Sequence, residues 1–225
     1  HIDWDEVQKM ITSRTRMIII NSPHNPTGSV VSDEDMKMLQ KITQGSNIII
    51  LSDEVYEHII FDNIEHLSIT KYPKLAERSL AISSFGKTFH TTGWKLGYCV
   101  APERLMKEFR KIHQFVVFAA NTPIQLAIAE FLDNKNEYLE LNNFYQKKRD
   151  YFIKLLKNSR FEILPSNGTY FQLLGYKDIT DEKDTKFAER LTKEIGIASI
   201  PISVFYRENL DNKVLRFCFA KSNET

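Results

Sequence analysis

Short apolar runs rich in β-branched residues alternate along this chain with stretches of helical period, and that alternation limits its fold more than any other feature. MIIIN at 17–21 is followed by the turn-forming SPHNPTG. Ser32 is then placed to cap a helix on which Met36, Leu39 and Ile42 recur at three-residue steps. NIIIL at 47–51, SLAIS at 79–83 and LGYCV at 96–100 supply three more runs of strand length, and Pro102 after the last suits the first position of a helix. Strands alternating with helices predict an α/β fold of β-α-β construction with a mostly parallel sheet, rather than an all-α or all-β fold.

The pattern then changes. Residues 103–118, 122–133 and 136–157 are helical by period, with Pro123 opening the second helix and Asn136 capping the third. From Phe161 a smaller α+β unit is predicted. FEILPSNGTYFQLL reads as two strands around a turn, a helix carries Phe187, Leu191 and Ile195 up to Gly196, and IASIP and VLRFCFA complete the unit as strands. The expected organisation is a larger domain over 1–135, a connecting helix over 136–158 and a small domain over 159–225.

At 225 residues and 42% hydrophobic content the chain can bury one substantial core or two smaller ones. Thirty basic residues against twenty-nine acidic ones give a net charge of +1, and the basic residues are scattered, which argues against a nucleic-acid partner. Cys99 and Cys218 each lie inside an apolar run, so buried thiols in a reducing, cytoplasmic setting are expected. No apolar run approaches the roughly twenty residues that span a bilayer, and no secretory signal pattern is present, so a soluble protein without membrane contact is expected. The chain opens on His1 and stops just after a strand-like run, which suggests a piece of a longer protein.

Three polar residues follow the first three strands at their C-terminal ends, where ligands bind in open α/β sheets: Asn25, Asp53 and Lys87. Each has an ordinary structural explanation. Asn before Pro is a turn former, Asp at a strand end caps a backbone amide, and a loop Lys is usually solvated. Together they suit something more specific. A lysine that forms a Schiff base needs reactive surroundings, and a heteroaromatic cofactor that acts as an electron sink needs a carboxylate at its ring nitrogen. Arg216, in LRFCFA, is a charge on an apolar strand and requires an anionic partner.

In order and spacing, NSPHNPTG, SDEVYEH, SSFGKTFHTTGWKLGY and LRFCFA resemble the fold-type I pyridoxal-phosphate-dependent aminotransferases, and within them the kynurenine, glutamine and methionine aminotransferases. The likeness runs from about Asp3 to Lys221. It implies that Lys87 carries pyridoxal 5'-phosphate as a Schiff base and moves the proton at the substrate Cα. Asp53 would pair with the ring nitrogen, Asn25 and Tyr56 would bond the phenolic oxygen, and Ser84 and Lys95 would serve the phosphate. Lys95 stands where many relatives have arginine, so it acts as a point charge rather than a two-pronged donor. Arg216, with Asn25, would bind the substrate α-carboxylate. NGTYF at 167–171 and PISVFY at 201–206 match small-domain segments near the substrate.

The reaction implied is transfer of an amino group from a methionine, glutamine, kynurenine or aromatic-type donor to a 2-oxo acid, in a homodimer. A pyridoxal-phosphate carbon–sulfur β-lyase and a non-catalytic fragment of the same fold are the alternatives. The family's N-terminal part of the large domain, with a phosphate-binding turn and an aromatic that stacks on the ring, is expected to be missing here, as is the last helix of the small domain. His24 and His90 lie inside motif loops, and His58, His66 and His113 lack ligand spacing, so no metal is predicted.

Overall fold

The computed structural model describes residues 2–225, which form two compact units. The first comprises the described residues up to Pro23 together with Val30–His58 and Glu65–Leu141, and the second comprises His24–Ser29, Ile59–Ile64 and Asn142–Thr225.

The first unit opens with α1 (Trp4–Met10) and β1 (Met17–Asn21), then α2 (Asp33–Thr43) and β2 (Ile49–Asp53). Ser32 does cap α2: its side chain accepts from Asp35 N–H, and the Asp35 carboxylate accepts from Ser32 N–H in return. Met36 and Leu39 are each 1% exposed and pack with Ile50, Ile69 and Leu75 beneath the sheet. Burial on that scale contributes about 1.5–3 kcal/mol per side chain. A Leu39→Ala change would break this contact most simply, at a cost of about 2–5 kcal/mol. After α3 (Pro73–Ala76), β3 (Ser79–Ser84) leads into the one-turn helix α4 (Phe85–Thr88) and then β4 (Gly97–Val100).

The sheet order is β1-β2-β3-β4, with β1, β2 and β3 parallel and β4 antiparallel to β3. Ser84 pairs directly with Gly97, so residues 85–96 loop out and return to the sheet end they left, without the full crossover that a parallel partner needs. β2 sits two residues later than its apolar run, because Ser52 and Asp53 continue the ladder through their backbone, opposite Ile20 and Asn21. α5 (Glu103–Val116) and α6 (Thr122–Phe131) follow. Pro102 turns out to be the N-cap of α5, at ψ 151°, rather than its first helical residue.

The predicted helix over 136–157 is two helices, α7 (Asn136–Leu139) and α8 (Leu141–Leu156), interrupted at Glu140, where ψ reaches 0°. Asn136 is the first residue of α7, and Lys135 takes the cap position. In the second unit, β5 (Glu162–Ile163), β6 (Phe171–Gly175), β7 (Ile200–Pro201) and β8 (Val214–Cys218) form an antiparallel sheet of order β5-β6-β8-β7. α9 (Asp184–Arg190) covers it, its last turn opening to π geometry before Gly196 ends it at φ 79°. Leu174, Tyr176, Phe187 and Leu215 form the centre of this core.

Arg149 of α8 ties the segment 59–64 into the second unit. Its guanidinium, within a residue only 7% exposed, grips both carboxylate oxygens of Asp62 at 2.6 and 2.7 Å, donates to Ser166 O at 2.9 Å and lies over the Phe61 ring. Gly28 holds the segment 24–29 in the same unit. Its φ is +69°, its carbonyl accepts from Asn167 N–H, and a Cβ built on it would lie 2.3 Å from Ser166 Oγ, which no side chain tolerates. Both cysteines are free and half-buried, so the expectation of buried thiols is corrected: Cys99 lies on β4, none of whose residues is buried, and Cys218 on the more open face of β8. Among the described residues no helix is long and apolar enough to cross a membrane.

Candidate active site

Asp53 is the last residue of β2, and its backbone is held before its side chain is used. Its carbonyl accepts from Asn21 Nδ2 and from Ser22 N–H, each at 3.0 Å. The half-buried carboxylate accepts from Val55 N–H at 3.2 Å. Burial raises its pKa above the ordinary Asp value, with Glu54 adding to the rise, while Val55 N–H and the positive charge of Lys87 oppose it. The group therefore gains from any further cation brought to it.

Lys87 lies in α4, on the turn that immediately follows β3. Its ammonium stands 6.0 Å from the ring centroid of Tyr56, a residue 2% exposed. Ser84 caps the turn, its hydroxyl accepting from Gly86 N–H at 3.2 Å. Glycine at 86 suits a close approach, since a Cβ there would stand 3.0 Å from Thr92 Cα and 3.3 Å from Ser84 Oγ, so that a neighbour would have to shift slightly. Lys95 closes the next 3-10 turn in left-handed conformation at φ 53° and is exposed. Asp53, Tyr56 and Lys87 are thus brought together in the first unit, with Ser84 capping the turn that carries the lysine.

Asn25 and Arg216 belong to the second unit, and there they touch: Arg216 Nη1 donates to Asn25 Oδ1 at 2.6 Å. The guanidinium also lies 4.0 Å from the Phe171 ring centroid and 5.9 Å from that of Phe205. A planar cation flanked by rings and held by an amide is suited to a planar carboxylate.

The sequence reading missed the supports. Glu57 accepts from Ser83 Oγ at 2.6 Å and from Tyr98 OH, joining β3 and β4 beside the Lys87 turn. Burial and that carboxylate push the Tyr98 phenol well up. Glu54, 4% exposed, accepts from Ser52 Oγ, Ile69 N–H and His66 Nε2, each at 2.9 Å. Burial works to raise the Glu54 pKa, but His66, Ile69 N–H and Ser68 outweigh it and hold the group below the ordinary Glu value. Glu54, Glu57 and His66 do place ligand atoms within 4.8 Å of one another, but the hydrogen bonds just described already engage them. No periodic pattern marks these residues. Only the acidic density of SDEVYEH pointed toward them.

The donor set fits the pyridoxal 5'-phosphate that the motif resemblance implies. It offers a primary amine beside a buried phenol and a half-buried carboxylate that favours a cationic N–H.

Comparison with known proteins agrees. The chain is 47% identical over its whole length to a methionine aminotransferase from Escherichia coli and 31% identical to human kynurenine–oxoglutarate transaminase 1. In each case it spans 58% of the relative's length. Among solved structures it superposes on N-succinyldiaminopimelate aminotransferase from Mycobacterium tuberculosis with a TM-score of 0.94 at 35% identity, covering 99% of this chain and 59% of that one. The model of the family described as aminotransferase class I and II matches residues 1–225, and the chain belongs to that family.

Proposed function

We propose that the full-length protein is a pyridoxal-phosphate-dependent aminotransferase that takes a methionine-like or kynurenine-like amino acid as donor and a 2-oxo acid as acceptor. The observation that carries this reading is the grouping of Lys87, Tyr56 and Asp53 where β2 and β3 end. Identity of 47% to a methionine aminotransferase supports the donor class.

Pyridoxal 5'-phosphate, when bound, supplies the electron sink that lets an amino-acid Cα release its proton. In this reading Lys87 Nζ would hold the cofactor and, as a primary amine beside it, would move the proton at the substrate Cα. By the resemblance, Asp53 would accept the ring N–H, Asn25 and Tyr56 would bond the phenolic oxygen, and Ser84 and Lys95 would bond the phosphate. Arg216, steadied by Asn25, takes the α-carboxylate, a group common to every donor. A homodimer is proposed as well, on the family resemblance.

The test is to assay the full-length protein against a panel of amino acids and 2-oxo acids, alone and as Lys87→Ala. Transamination that survives Lys87→Ala would overturn the reading. Pyruvate and ammonia released from a cysteine conjugate with no 2-oxo acid present would instead indicate the lyase.

A further inference from the structure

The segment 203–211 between β7 and β8 carries four exposed apolar side chains, Val204, Phe205, Tyr206 and Leu210, between 44% and 56% exposed. Such a loop has little of its own to hold it in place. Both its ends are nevertheless fixed to one residue, Asp184, at the start of α9. The Asp184 carboxylate, 1% exposed, accepts from Ser203 N–H and from Ser203 Oγ, each at 2.7 Å. Asp184 N–H donates to Asp211 Oδ2 at 3.3 Å, and Asp211 in turn accepts from Lys213 N–H at 2.8 Å. Ser203, 4% exposed, opens the 3-10 turn Ser203–Phe205, and the last residue of that turn is the one whose ring stands 5.9 Å from the Arg216 guanidinium.

We infer that Asp184 is a positioning residue for carboxylate recognition: its carboxylate holds the Ser203 end of the loop, while its backbone N–H bonds the Asp211 end, and so it fixes Phe205 against Arg216. This rests on Arg216 as the carboxylate site proposed above. A buried carboxyl spent on a surface loop needs a return, and two short hydrogen bonds to one serine are more than a helix start requires. A ring fixed against the guanidinium restricts how an anion can approach it, which favours a planar carboxylate lying in the guanidinium plane.

The experiment uses the full-length, cofactor-loaded protein as Asp184→Ala, Ser203→Ala, Phe205→Ala and the double variant Asp184→Ala/Phe205→Ala, with Asp184→Asn as the conservative control. Asp184→Ala and Ser203→Ala are expected to raise the KM for the amino-acid donor by about tenfold with kcat within about twofold, and Asp184→Asn to restore most of the affinity. In the Phe205→Ala background, removing Asp184 should add nothing, because the clamp acts through that ring. Trypsin cleavage after Arg207 should accelerate in Asp184→Ala and Ser203→Ala. If Asp184→Ala does not fold, Ser203→Ala reads the same quantity. Additive KM effects in the double variant, or unchanged KM and cleavage in both single variants, would overturn the clamp. Wild-type protein without transaminase activity would defeat the proposed function, while the cleavage rates would still decide whether Asp184 fixes the loop.

Discussion

Arg216 and Asn25 lie 191 positions apart in sequence and meet at 2.6 Å, guanidinium to amide oxygen. The amide orients the arginine without neutralising it. Replacing it by a carboxylate should change that: Asn25→Asp places an anion where the substrate carboxylate is proposed to bind, and the two compete. The KM for every amino-acid donor should rise by about ten- to a hundredfold, largely regardless of side chain. Steady-state kinetics on two donors of unlike side chain would check it, and a rise confined to one donor would contradict it.

Asp53 is held in surroundings that burial makes unfavourable for its charge. A carboxylate whose native pKa is raised binds its proton more tightly folded than unfolded. Its contribution is therefore favourable below the ordinary value of 3.8 and is lost as pH rises through the raised one. Asp53→Asn should accordingly increase the thermal stability of the cofactor-free protein at pH 7, by about 1–3 °C, with the gain shrinking in acid. The same change should lower transamination by about a hundredfold or more, since the ring nitrogen loses its partner. Calorimetry of the apoprotein at two pH values, alongside kcat, tests both halves.

Glu54 has the opposite sign. Held below its ordinary 4.5 by His66, Ile69 N–H and Ser68 in spite of burial, it contributes stability that is present above pH 4.5 and lost as pH falls through the depressed value. Glu54→Gln should cost about 1–3 kcal/mol near neutrality, because buried donors lose a charged acceptor. It should also flatten the acid limb of the stability curve. Urea unfolding between pH 3 and pH 7 would show whether the two curves converge in acid.

Arg149 should prove structural. Arg149→Ala leaves Asp62 without its two-pronged donor and Ser166 O without its N–H, at a cost of about 2–3 kcal/mol, moderated because Asp62 is partly solvated. Arg149→Met, which refills the space over Phe61, should cost less. Denaturant midpoints for the two variants would coincide if packing contributed nothing.

Strand-length aliphatic runs announced β1, β3 and β4, because β-branched and aromatic side chains suit extended backbone whether the strand is buried, as β3 is, or open, as β1 and β4 are here. Ser32 was legible for a similar reason, since capping is chemistry within four residues. Lys87, Asp53 and Asn25 could be singled out because an amine, a carboxylate and a turn residue after successive strands are rare as a set. The direction of β4 was not legible: it depends on whether residues 85–96 cross the sheet or return, and one helical turn permits either. The break at Glu140 carries neither Pro nor Gly. The pairs Arg149–Asp62 and Asp184–Ser203 form between side chains 87 and 19 positions apart, and no sequence period encodes such meetings.

Position 28 is closed to every amino acid but one, by its left-handed backbone and by Ser166 beside it. Three residues before it stands the amide that steadies Arg216. That turn is constrained by its backbone, whereas Tyr206 and Leu210, both exposed, leave room for change. Chemical tolerance at the rim is the counterpart of intolerance at a single glycine.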